Sequence, residues 1–573
     1  MMIGASRLSH IVTLFVINQG SSFVPESTLT CRIHTNLPKT LNLQLQPRFP
    51  TLKSVSKSNV ASNRQGYKRR SIILKEATTT ENRDFKDNIV GASVAVGAIT
   101  ATTGFLYGKF LNAGFQLFWK TLPNYLINTL GASRNFALYY ITGICTFGAI
   151  LIGILSTIFQ NANFAVSDFV SAFSSTPAKK LPSTRIHLFP LLLMSLLTSS
   201  FGFSLGPEAP MVCAGGLIGA SMGRYFSQKN NNCDETTSNN YQEILAYAGA
   251  AGALTAFMGI PLAGSIFALE MTRSNAALNK AGDQALSPTV IASLSALLLL
   301  CYGLNPGKVI GGNFDYGAVG ILSGKVLMAT ATISGIAGAI VGTVFHKVVT
   351  KMKKLVWYTN YNFSFNKSSE EDSKTPKLWK KTILVKAIIG ITVGLLSTYF
   401  PQTLFWGEGS LQSLVDGQKT PFEATHHGLS SIFTTNAIVD PSLPFTNTLA
   451  PLKVGLVKLL SIALACAGKF PGGIIFPLFA ATAPLAHALS NFLITYTAFP
   501  MITPVAVMCL MAATQASATR TPMATALILT LTASPSTELS VFLPACLLSS
   551  YLGVFVSQRL SRNAYFVYNE KDD

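Results

Sequence analysis

The sequence predicts an all-α, multi-pass membrane protein built as an inverted repeat of broken and tilted helices, and three observations carry that expectation. Only 12% of the 573 residues are Asp, Glu, Lys or Arg, while 49% are hydrophobic and the mean hydropathy is +0.40; ordinary globular proteins are about a quarter charged. Apolar runs recur from residue 88 to residue 560, more greasy surface than one globular core buries, so the bilayer is the solvent. Gly/Pro clusters interrupt these runs at similar spacings in two halves of the chain, the pattern of transporters whose site lies between repeats.

Residues 1–75 come first. They hold eleven of the 43 basic residues against a single acid, Glu26, which is the balance of a targeting presequence rather than of a folding unit. Most of the formal +19 charge is thereby placed outside the apolar region, and no nucleic-acid partner is expected. Arg7 and His10 precede the short apolar stretch 11–17 and the small residues Gly20, Ser21 and Ser22, a signal-like arrangement. Ser22-Phe23-Val24-Pro25 resembles the small-Phe-x-Pro junction of bipartite presequences that enter plastids bounded by more than two membranes. The expectation is a cleaved, disordered presequence and a plastid membrane, thylakoid or envelope, as destination; a plain signal peptide or mitochondrial presequence stays open.

The apolar region then reads as helices near 88–118, 135–160, 188–202, 210–226, 241–257, 261–272, 286–303, 318–349, 379–400, 450–467, 474–493, 503–516, 521–533 and 538–558. A helix needs about twenty residues to cross the hydrocarbon layer. The shorter pieces that open after Gly or Pro therefore predict partly penetrating helices, tolerated where they are buried or line a cavity. A polar connection at 351–381 separates a first transmembrane half, 76–350, from a second, 382–560, and a short polar tail follows at 561–573. The eight cysteines fall in no CxxC or CxxH spacing, so packing roles are expected, with no metal site and no cofactor.

Four clusters carry the chemistry. In the first half, Gly206-Pro207-Glu208-Ala209-Pro210 opens one helix and Ile260-Pro261-Leu262-Ala263-Gly264 another; in the second, Phe470-Pro471-Gly472-Gly473-Ile474-Ile475-Phe476-Pro477 and Thr521-Pro522-Met523 do the same. Each helix start leaves backbone N–H groups without internal partners at the positive end of the macrodipole, which attracts anions. Pro210, Pro261, Pro477 and Pro522 break or start the helices, and Gly472 and Gly473 let backbone approach an ion closely. Ordinary helix kinks are the competing reading for any one cluster. Glu208, an acid embedded in an apolar stretch, marks a functional site by default. Its carboxylate can take the place of a permeant anion and act as a gate. Glu270 has two open readings, helix packing and a proton path.

At these residues the chain resembles the voltage-gated chloride channel (CLC) family of anion channels and anion/proton exchangers. Residues 206–210 are similar to its GKEGP or GREGP motif, 256–270 to the segment that follows it, and 468–477 to GxPGGxFxP. The resemblance spans about 88–560 and implies a homodimer with one anion pathway per subunit. It also implies Glu208 as the gating glutamate, and Gly206, Ala209, Ile474 and Ile475 as anion-binding positions. Ser167 stands at about the right distance before Glu208 for the serine of the family's GSGIP motif, whose flanks do not match. The expected pore tyrosine is not legible, Ser534–Glu538 occupying that region. Met271 stands where exchangers usually carry a second acid, which favours a chloride or nitrate channel over an antiporter. The paired nucleotide-sensing domains of many eukaryotic members are not expected. An intramembrane enzyme is disfavoured: the seven histidines form no HExxH and no acyltransferase-type pair.

Overall fold

The computed structural model describes residues 89–130, 136–159, 184–229, 235–273, 284–306, 314–317, 319, 323–357, 376–420, 436–561 and 563–564, all within one compact unit, Ala77–Asp573. The presequence 1–75, Ser167 and the end of the tail lie outside the described residues. The α-helices among the described residues run in chain order. They are α1 (Ile89–Thr129, containing a π-helical turn at Gln116–Thr121), α2 (Phe136–Ile158), α3 (Thr184–Ser200), α4 (Glu208–Lys229), α5 (Glu235–Met258), α6 (Pro261–Arg273) and α7 (Leu286–Leu304). Then follow α8 (Gly324–Trp357), α9 (Pro376–Tyr399), α10 (Leu411–Val415), α11 (Leu449–Ala467), α12 (Ile475–Thr497), α13 (Thr503–Thr519), α14 (Pro522–Leu531) and α15 (Leu539–Leu560). Among the described residues eight helices are long and apolar enough to cross a bilayer, and the only strand-like pairings are two isolated bridges.

The helix starts follow the breaker clusters. Gly259 (φ +76°) ends α5 in the left-handed region, its N–H donating back to Thr255 O at 2.7 Å, and Pro261 begins α6 with a residue whose missing N–H costs nothing at a first turn. Thr521 precedes Pro522 at α14 in the same way. The expected polar connection at 351–381 is shorter at both ends. α8 runs on to Trp357 because Lys351, Lys353 and Lys354 are good helix formers and complement the negative helix end, and α9 opens at Pro376.

The two halves pack in the same pattern. α4 lies on α5 and α5 on α6 and α7; correspondingly, α12 lies on α13 and α13 on α14 and α15. Small residues make the close crossings, since apolar burial does not drive helices together in lipid. A methyl built on Gly219 would lie 1.8 Å from Leu245 O, and one on Gly249 2.0 Å from Gly215 O, so α4 and α5 touch backbone to backbone. Many buried hydroxyls bond to a carbonyl one turn earlier, as Thr255 Oγ1 does on Ala251 O (2.8 Å). The six described cysteines, Cys145, Cys213, Cys301, Cys466, Cys509 and Cys546, are all buried.

Candidate functional site

The halves meet through their breaker motifs. Gly206 N–H donates to Gly473 O at 2.9 Å and Gly473 N–H to Gly206 O at 2.5 Å, a two-bond bridge between the segments that feed α4 and α12. Neither glycine has a positive φ; space is what they provide. A methyl on Gly206 would stand 2.0 Å from Glu208 Oε2, and one on Gly473 would stand 2.4 Å from the same oxygen and 2.9 Å from Ala209 N. Gly472 is equally constrained, its added methyl meeting Leu205 Cβ at 2.5 Å.

Glu208, in the first turn of α4, is completely buried. Its Oε1 accepts the Phe476 N–H at the start of α12 at 3.3 Å, while Oε2 has no hydrogen-bond partner among the described residues. The carboxylate thus occupies the positive end of a helix contributed by the other half of the chain. Ile474 caps α12 and Ile475 is its first residue; the proline at 477 carries no N–H, and Leu478 N–H is already taken by Ile474 O at 3.0 Å. The N–H that meets the carboxylate is therefore one residue beyond the two named from the motif. Pro207 O accepts Met211 N–H at 2.9 Å, which places Ala209 and Pro210 in the opening turn of α4.

Behind this site a polar brace holds the 201–205 loop. Tyr107 OH and Ser195 Oγ are 3.0 Å apart, and Ser199 Oγ donates to Leu205 O at 3.4 Å. Just before α10 in the chain, Glu408 Oε2 accepts Trp406 Nε1–H at 2.9 Å. The sequence singled out neither Tyr107 nor Glu408, because nothing in their flanks marks them.

Glu270 is elsewhere. Its Oε1 accepts Met523 N–H at 3.1 Å and its Oε2 Ala524 N–H at 2.8 Å, so it caps α14 just after Pro522. Met271 is fully buried. The four clusters form two pairs: residues 206–210 meet 470–477, and the end of the helix opened by Pro261 meets the start of the helix opened by Pro522.

A family model described as voltage gated chloride channel matches residues 147–554. YfeO of Escherichia coli (strain SE11), named for ion transport, is 23% identical over 390 residues, covering 67% of this chain and 75% of that protein. Among solved structures, a slow cyanobacterial Cl-/H+ antiporter superposes with a TM-score of 0.60 at 18% identity, covering 83% of this chain and 96% of the other. A CLC-type fluoride/proton antiporter gives 0.57 at 17% identity, covering 84% and 97%. These similarities establish a common fold.

Proposed function

The chain belongs to the voltage-gated chloride channel family, and from that premise we propose that it is a gated anion channel, passing chloride or nitrate through a pathway closed by Glu208. The observation that carries the reading is the seat of the carboxylate: a buried acid from one half lies on the Phe476 N–H of the other, in the position a small anion would take. Gly206, Ala209, Ile474 and Ile475 are its anion-binding positions, Gly472 and Gly473 keep it open to backbone, and Ser167 is a further anion-binding residue. Protonation cancels the attraction between carboxylate and helix end. The side chain then leaves and the anion enters.

Passive conduction is favoured over exchange because Met271 carries no proton and Glu270 is committed to the α14 N-terminus. The antiporter reading draws on that same Glu270, the acid nearest the end of α6, and on the exchange activity named for the two solved relatives. Two subunits associate, each with its own pathway. α6 and α14, with 13 and 10 residues, are too short to cross the lipid alone, and they leave Leu262 and Met523 for a partner to cover. The basic segment 1–75 directs the protein to a plastid membrane. The deciding experiment is efflux from liposomes holding the purified protein, with chloride and nitrate compared and proton movement recorded at the same time. Anion efflux without a fixed proton ratio is the expected result; proton uptake driven uphill by a chloride gradient would make the protein an exchanger.

A further inference from the structure

Two lysines lie deep in the apolar region without an acid beside them among the described residues. Lys458, at the middle of α11, is 0% exposed, and its Nζ donates to the carbonyls of Thr403 (2.9 Å), Leu404 (3.2 Å) and Phe405 (2.7 Å). Three acceptors around one nitrogen use three N–H bonds, which only the ammonium form has. Lys386, on α9, is 1% exposed and donates to the carbonyls of Gly468 and Lys469, both at 2.9 Å. Its Nζ also stands 4.3 Å from the centroid of the Phe470 ring, within reach of a cation–π contact.

Each cation is one link from one of the helix starts that meet at Glu208. Thr403 O, held by Lys458, also accepts Ser204 Oγ at 2.5 Å, and Phe405 N–H donates to Gly202 O at 3.1 Å. Ser204 is paired in turn with Ser461, 2.9 Å away and one turn along α11 from Lys458. The carbonyls held by Lys386 immediately precede Phe470-Pro471-Gly472-Gly473, and Phe470 stacks on Phe203 with centroids 4.3 Å apart. One lysine therefore steadies the strand that leads to α4, and the other the strand that leads to α12. Their hydrogen bonds all go to protein carbonyls, so neither binds the anion directly.

An intramembrane charge without a counter-ion is costly and marks a function. A monovalent anion at the α12 start meets only about half a charge from the helix dipole. We propose that Lys458 and Lys386, bonded to the segments that lead to α4 and α12, supply the fixed positive charge that offsets the transported anion. This rests on the anion-transport reading. A fixed charge behind the site favours every monovalent anion alike and repels cations, whereas a distorted site changes the discrimination between anions.

The test measures chloride and bromide binding by calorimetry on the full-length protein and on Lys458→Met, Lys386→Met and Lys386→Arg, together with liposome efflux. Both methionine variants are expected to lose about tenfold in affinity for each halide, with the bromide-to-chloride ratio unchanged, while Lys386→Arg keeps wild-type affinity. Wild-type affinity in correctly assembled methionine variants, or a changed halide ratio, would overturn the proposal. Should Lys458→Met fail to assemble, Lys386→Met decides alone, since its side chain releases only two carbonyls. A wild-type protein that neither binds nor passes a halide would defeat the transport reading instead.

Discussion

Gly206 and Gly473 exchange both of their backbone hydrogen bonds, and each leaves the room that the Glu208 carboxylate occupies. The obstruction a methyl on Gly206 would meet is the Glu208 side chain itself, at 2.0 Å. Gly206→Ala should therefore expel the carboxylate and behave as an ungated protein, with flux raised and nearly independent of pH. Efflux measured between pH 5 and 8 checks this; a variant of normal abundance that keeps the wild-type pH response would show that the carboxylate does not occlude the path.

Glu208→Gln is expected to remove the pH dependence as well. In the wild type, acidification protonates the carboxylate and frees it from the Phe476 N–H, so flux should rise as pH falls. The amide cannot titrate, and the open fraction should no longer follow pH. An unchanged pH response in a well-assembled Glu208→Gln protein would take this residue out of the mechanism.

Met271→Glu places an acid at a fully buried position beside an existing cap. It should create at most a slow proton leak, and the wild type should show no fixed anion-to-proton ratio. Simultaneous electrode recording of both ions is the measurement. A reproducible ratio in the wild type points to Glu270.

Glu270→Gln keeps an acceptor for the α14 N-terminus but loses the charge. Charge-assisted contacts of this kind contribute about 1–2 kcal/mol, so a lower thermal midpoint is expected, with conduction through the Glu208 pathway retained. A Glu270→Gln protein that stays equally stable but stops passing anions would make Glu270 a transport residue.

Gly219→Val should block assembly, because its first added carbon would fall 1.8 Å from Leu245 O and the obstacle is backbone. Overpacking of this sort costs about 1–3 kcal/mol or more. Loss of the folded, detergent-stable form on size-exclusion chromatography is the expected outcome; normal elution would mean that α4 and α5 can separate without harm.

Much of this architecture is written in local chemistry. Pro261 and Pro522 announce α6 and α14 because a proline after a break is compatible with only the first turn of a helix, and the observed starts coincide with them. The embedding of Glu208 in apolar sequence singled it out, and the same embedding leaves it completely buried with its Oε1 on the Phe476 N–H. What sequence could not supply is rotation and distance. The motif at 470–477 identifies a helix start, yet which of its N–H groups faces the carboxylate depends on how α12 is turned about its axis, and that is set by packing. Lys386 and Lys458 were legible by the rule applied to Glu208, as ionisable residues in apolar runs. Their partners were not, because backbone carbonyls 53 to 83 residues away leave no side-chain signature.

The hydrogen bond between Phe476 and Glu208 joins residues 268 positions apart. During synthesis at about 5–20 residues per second, the first half must wait roughly 15 to 50 s before its partner exists. For that interval Glu208 has no Phe476 N–H to meet. The helix end that seats Glu208 therefore exists only once the second half has been made, so the seat of this carboxylate is completed late in biogenesis.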